Sequence, residues 1–166
     1  MGMGPLNLSD ADTSGFDPVP SGQYKVEVFE ASRTKITKDD GKLPQDTPGI
    51  KIQFKILGDN AGDEGEEYEF YNRRAFNNYW LPGADYSDVQ AGRRMRGMFV
   101  NLLKALGYEE EEVMSGEFDL DVDDLNGREC IATLGIQPEK GGYPAQNKVN
   151  GVKSLEEAAA TSSGLL

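Results

Sequence analysis

A chain of 166 residues with 37% hydrophobic content can bury one core, and its 20 glycines and 8 prolines point to a turn-rich fold rather than a helical bundle. Histidine is absent and cysteine occurs once, at Cys130, which excludes hydrolytic triads, the usual N/S zinc sites and any intramolecular disulfide. The formal charge of −12 argues at first sight against a polyanionic partner.

Residues 1–21, rich in Gly, Pro, Ser and Asp without periodicity, predict a flexible arm. That start holds Asp10, Asp12 and Asp17 in place of a basic-then-apolar leader, and no run of about 18 apolar residues occurs anywhere. With a lone thiol, this predicts a reducing, cytoplasmic setting and no membrane.

From Gly22 apolar Tyr24, Val26 and Val28 alternate with Lys25, Glu27 and Phe29, the period of a half-buried strand running on to Thr37. Lys38–Gly49 reads as a loop. Ile50, Ile52, Phe54 and Ile56 then alternate with Lys51, Gln53, Lys55 and Leu57, giving a second strand with one apolar and one largely basic face. An acidic tip follows, and Glu67–Leu81, dense in aromatic residues, predicts a third strand ended by Pro82 and Gly83.

Ser87 with Gln90 three residues later suggests a capping box. The stripe Met95, Met98, Phe99, Leu102, Leu103, Leu106 predicts a helix stopped at Gly107. Tyr108–Met114 can add a short acidic helix, and Asp119–Gly127 connects to a fourth strand over Glu129–Gln137. A turn at Glu139–Ala145 leads to a fifth strand over Asn147–Lys153, and 154–166 reads as a C-terminal tail. The expected fold is mostly β: an OB-like five-stranded barrel over residues 22–153, with one α-helix between strands three and four and flexible termini.

The acids are not evenly spread. Residues 59–69 hold six and residues 108–124 hold nine, with no base in either block, and five more lie in the terminal segments. The remaining body carries nine acids against all seventeen bases, a net positive excess. A basic surface flanked by acidic loops can bind a polyanion on one side, although each acidic block can equally serve solubility.

Tyr71–Trp80 interleaves Arg73 and Arg74 with Tyr71, Phe76, Tyr79 and Trp80. Rings that stack on bases beside cations that track phosphates are how a single strand is gripped, while Phe76 and Trp80 can alternatively be core. Lys51 and Lys55, joined by Lys25 and Lys35 of the first strand, extend the basic face. Arg93, Arg94 and Arg96 can continue it or pair with the acids after Gly107, and Tyr143 and Lys148 can line the opposite rim. Asp119, Asp121 and Asp123 imitate a calcium loop, but Asp124 stands where Gly is required and Cys130 where a bidentate Glu is required. No phosphate-binding glycine loop and no nucleophile elbow occurs, so neither catalytic residues, a metal nor a cofactor is expected.

Several phrases carry a resemblance: Leu-Asn-Leu-Ser-Asp-Ala-Asp-Thr-Ser-Gly-Phe (Leu6–Phe16), Pro-Ser-Gly-Gln-Tyr (Pro20–Tyr24), Lys-Ile-Gln-Phe-Lys-Ile (Lys51–Ile56) and Asn-Arg-Arg-Ala-Phe-Asn-Asn-Tyr (Asn72–Tyr79). Leu102–Tyr108, Asp124–Arg128 and Asn147–Lys153 continue it. The chain resembles single-stranded-DNA-binding proteins of tailed bacteriophages that infect actinobacteria. The resemblance implies an OB-like barrel that coats single strands in phage replication or recombination within the host cytoplasm, alongside replication or recombination proteins. A homo-oligomer is compatible with it. Ser162–Leu166 holds no acid, which departs from the acidic tip by which such proteins recruit partners.

Two other functions stay open. The barrel can act as an interaction module of a virion structural or assembly protein, and a carboxylate-metal nuclease is the one enzyme these residues permit.

Overall fold

The computed structural model describes residues 2, 4–9, 17–37, 43–60, 62–142 and 144–156. Much of the expected N-terminal arm and C-terminal tail, part of the loop at 38–49, and Tyr143 lie outside them. The protein is mostly β, with strands β1 (Gly22–Lys35), β2 (Pro48–Asp59), β3 (Arg74–Trp80), β4 (Glu129–Gln137) and β5 (Gln146–Lys153). Between β3 and β4 lie helix α1 (Val89–Ala105), a one-turn acidic helix α2 (Glu110–Val113) and a 3-10 turn at Val122–Leu125.

Every pairing is antiparallel and the order is β3-β2-β1-β4-β5. Strand β1 is the hub, because its first half pairs with β4 while its whole length pairs with β2. Alternation sends Tyr24, Val26, Val28, Ile50, Ile52, Phe54 and Ile56 inward, where they meet Phe99, Leu102 and Leu103 of α1. Two irregularities interrupt β1, between Lys25 and Val26 and between Val28 and Glu30. The second adds a residue, so Phe29 and Glu30 are both exposed and the inward phase resumes at Ala31.

The sheet is open. Strands β3 and β5, which the antiparallel order makes run in the same direction, are its edges, and no ladder joins them among the described residues. The seam between them is filled from both ends. At one end the Asn147 side chain accepts from the Val19 N–H and donates to the Val19 carbonyl, both at 2.9 Å, holding the buried Val19 as a strand neighbour would. Arg73 donates to the Asp17 carbonyl beside it. At the other end α1 packs on β3 and β5.

The third strand is shorter than the sequence predicts. Tyr68, Phe70 and Tyr71 lie in successive turns that end at Asn72, whose left-handed φ of 72° takes the chain into β3. Their rings still pack: Phe70 meets Tyr68 and Tyr24 edge-on at 5.8 and 6.4 Å. Helix α1 is capped by Asp88, which accepts from the Ala91 N–H at 3.0 Å, one residue later than Ser87. It ends as expected at Gly107, φ 106°, where the Tyr108 N–H bonds back to the Leu103 carbonyl. No helix among the described residues is long and apolar enough to cross a membrane.

Tyr79 belongs to this core. Burial pushes its phenol up to about 12, whereas in the unfolded chain it ionises near the ordinary value of about 10. The unfolded state therefore loses its proton first, and stability falls as pH rises from about 10 toward 12. Urea midpoints measured across that interval are expected to decline, and less steeply in Tyr79→Phe.

Candidate nucleic-acid interface

The outward faces of β2 and β3 form one surface because their register sets polar and aromatic positions opposite each other. Lys51 faces Asn78, Gln53 faces Phe76, Lys55 faces Arg74, and Gly49 faces Trp80. Cations and rings touch across the strands. The Lys51 ammonium lies 5.8 Å from the Phe76 ring centre, Lys55 lies 4.9 Å from Tyr71, and the Arg74 guanidinium stacks 3.7 Å over Phe29. Asn72 holds that guanidinium in place, accepting from Arg74 Nη2 at 2.7 Å on its side chain and from Nε at 3.1 Å on its carbonyl. Phe76 and Phe29 are 52% and 47% exposed, too open for core residues.

Trp80 owes its position to a glycine. A Cβ at Gly49 would stand 2.5 and 2.9 Å from two indole carbons and 2.9 Å from the Tyr79 carbonyl, so the six-membered ring rests on bare backbone there. Gly49→Ala is expected to lower stability by about 1–3 kcal/mol and to shift the tryptophan emission as the ring leaves its seat. Thermal melts and emission spectra check both.

Beyond β3 this surface drops into the seam, a cleft of about 700 Å³. Lys51, Arg74, Phe76, Asn78 and Trp80 stand on one side, with Gln137, Gln146 and Lys148 on the other. No aspartate or glutamate lines it among the described residues, although the chain has 29. An equally large cavity lies elsewhere, between the β1–β2 end and α1, but its wall is mostly apolar (Ile50, Leu81, Phe99, Phe118, Leu120), and Asp46 and Asp119 border it alongside Arg33 and Lys35. Charge separates the two: the seam sets three cations against no acid, which suits a polyanion, whereas the other cavity balances two cations with two acids.

The structure brings together Lys51, Lys55, Tyr71, Arg74, Phe76, Trp80 and Lys148 from the predicted site, and removes others. Tyr79 points inward, since alternation puts it opposite Phe76, Asn78 and Trp80, and it is buried against Phe99 at 6.1 Å. Arg73 falls on the same parity as Tyr79 and holds the N-terminal segment instead. Lys25 is neutralised by Glu64 at 2.7 Å and Glu129 at 3.4 Å, and the hydrogen bond it donates to Glu64 raises its pKa.

Lys35 lies beyond the β1 bulge, borders the apolar cavity and pairs with Asp46 at 3.6 Å. Lys55 is shared with Glu27 at 3.7 Å. Arg93 and Arg94 are exposed on α1 but line neither cavity, and among the described residues neither pairs with an acid. Arg96 instead donates to the Pro82 carbonyl at 2.7 Å.

Phe29, Asn78, Gln137 and Gln146 are additions. Phe29 was legible as an aromatic residue on the polar side of the first strand, whereas nothing in the sequence pointed to the amides. Among the described residues no group of acidic or cysteine side chains is arranged to hold a metal ion. Compared with models of known protein families and with curated protein sequences, the chain matches none.

Proposed function

We propose that the protein is a sequence-tolerant single-stranded-DNA-binding protein that does no chemistry on its ligand. The observation that carries this reading is the acid-free groove of Lys51, Arg74 and Lys148 with the exposed ring of Phe76 and the half-buried ring of Trp80, in a chain of net charge −12. Bases stack on the rings while phosphates follow the cations, a mode indifferent to sequence because every base has a π-face. The open five-stranded sheet with a helix between its third and fourth strands is compatible with an OB-like barrel, a fold in which oligonucleotides lie on strands two and three. With the resemblance to actinobacteriophage single-strand-binding proteins, this gives coating of single strands during phage replication or recombination in the host cytoplasm.

Titration of Trp80 fluorescence with oligothymidylate at two salt concentrations is the direct test. Quenching is expected, with log affinity falling against log salt at a slope of about −2, as three phosphate-neutralising cations require. Unchanged emission, or equal affinity for duplex, would refute the reading. The exposed Leu6 and Leu8 and the apolar cavity favour a second reading, a virion assembly module. That reading requires ordered copies in purified particles and no response to DNA.

A further inference from the structure

We infer that the cleft between β3 and β5 reads the Watson–Crick edge of an unpaired base through a set of free carboxamides, and that this contact selects single strands over duplex. The inference rests on the groove being a nucleic-acid site.

Five carboxamides line the cleft: Asn77 and Asn78 on β3, Gln137 at the end of β4, and Gln146 and Asn147 at the start of β5. Asn77 is hydrogen-bonded to the Tyr79 phenol, which leaves Asn78, Gln137 and Gln146 beside Asn147. Gln137 and Gln146 are register partners, so their side chains stand on the same face of the sheet, across the seam from Asn78. Among the described residues none of the three side chains makes a hydrogen bond, and all three are exposed. The neighbouring Asn147 shows the contrast, because its amide is fully engaged by Val19 and by the Gly135 carbonyl at 3.1 Å. The fold therefore uses two of the five amides, Asn77 and Asn147, and leaves three facing the cleft.

A carboxamide presents a donor and an acceptor on one planar group, and rotation about its last bond exchanges them. Each Watson–Crick edge likewise sets donors beside acceptors, and in single-stranded recognition those edges are hydrogen-bonded while ring faces stack. Rotatable amides can thus complement any of the four bases, which keeps binding tolerant of sequence. They have nothing to complement in a duplex, where the same edges are already paired.

The cleft has the right surroundings and size. Phe76 and Trp80 line the cleft on the same strand as Asn78, and Lys51, Arg74 and Lys148 stand at hand for the flanking phosphates. Its volume of about 700 Å³ lies within the roughly 300–1,000 Å³ of sites that enclose small organic ligands.

The test compares oligothymidylate of about 15 nucleotides with the same oligomer built from N3-methylthymidine. Methylation blocks the central donor of the edge but leaves charge and stacking surface in place. Trp80 quenching and anisotropy of an end-labelled oligomer report affinity.

The wild-type protein is expected to bind the methylated oligomer about fivefold more weakly, the effect of one lost hydrogen bond. Asn78→Ala with Gln146→Ala is expected to bind both oligomers alike, at the weaker level. These exposed positions leave the core untouched, and retained binding reports a folded protein. Equal affinity of the wild type for the two oligomers, or a methylation effect that survives in the double variant, overturns the inference and leaves the single-strand function intact. Failure to bind either oligomer overturns the function itself.

Discussion

Phe76→Ala is expected to weaken binding of oligothymidylate by about five- to 150-fold, the effect of one stacking ring worth about 1–3 kcal/mol. The ring is half exposed and opposes Gln53 and Lys51 on the outer face, away from the core cluster. Thermal stability is therefore expected to stay within about 0.5 kcal/mol of the parent, as for surface substitutions generally. The variant also keeps Trp80, so the same fluorescence titration measures both proteins. A parallel fall in stability and affinity would mean that Phe76 supports the sheet rather than the ligand. An unchanged affinity would remove the outer face of β3 from the binding surface.

The opposite outcome is expected one strand away. Phe54 is fully buried at the middle of β2, pairs with Ala75 and packs in the cluster that joins the sheet to α1. Phe54→Ala removes most of a large side chain from a site with little room to collapse, and is expected to lower unfolding free energy by about 3–5 kcal/mol in urea titrations. The affinity of molecules that remain folded should be close to that of the parent, because Lys55 and Gln53 beside it project to the other face. A loss below about 1 kcal/mol would contradict the central position of β2 in the core.

These two positions illustrate how far the sequence carries. Period-two alternation assigned Ile50 to Leu57 to the correct faces, and β4 runs over Glu129–Gln137 as its apolar run predicts. The helical stripe and the glycine at 107 located α1 to within a residue or two of its ends. The error over Glu67–Arg73 has a definite cause. Aromatic residues with high β-propensity sit there in turns, where they pack through ring edges rather than through a ladder. Element order pointed to an OB-like barrel, but order does not specify whether the two edge strands bond to each other or to Val19 and α1.

By itself the sequence determined which side chains of β2 share a face, where the helix begins and stops to within a residue or two, and which side-chain types are missing, because these are read from composition and from residues a few positions apart. Which cations are available to a ligand was decided only by the tertiary structure. Lys25 meets Glu64 and Glu129 across distances of chain that no local pattern spans, and one bulge in β1 moves Lys35 out of phase with the basic face. The cleft is tertiary in the same sense: its cations, rings and amides come from β2, β3, β4 and β5, and they meet only because the sheet curls until its two edges face each other.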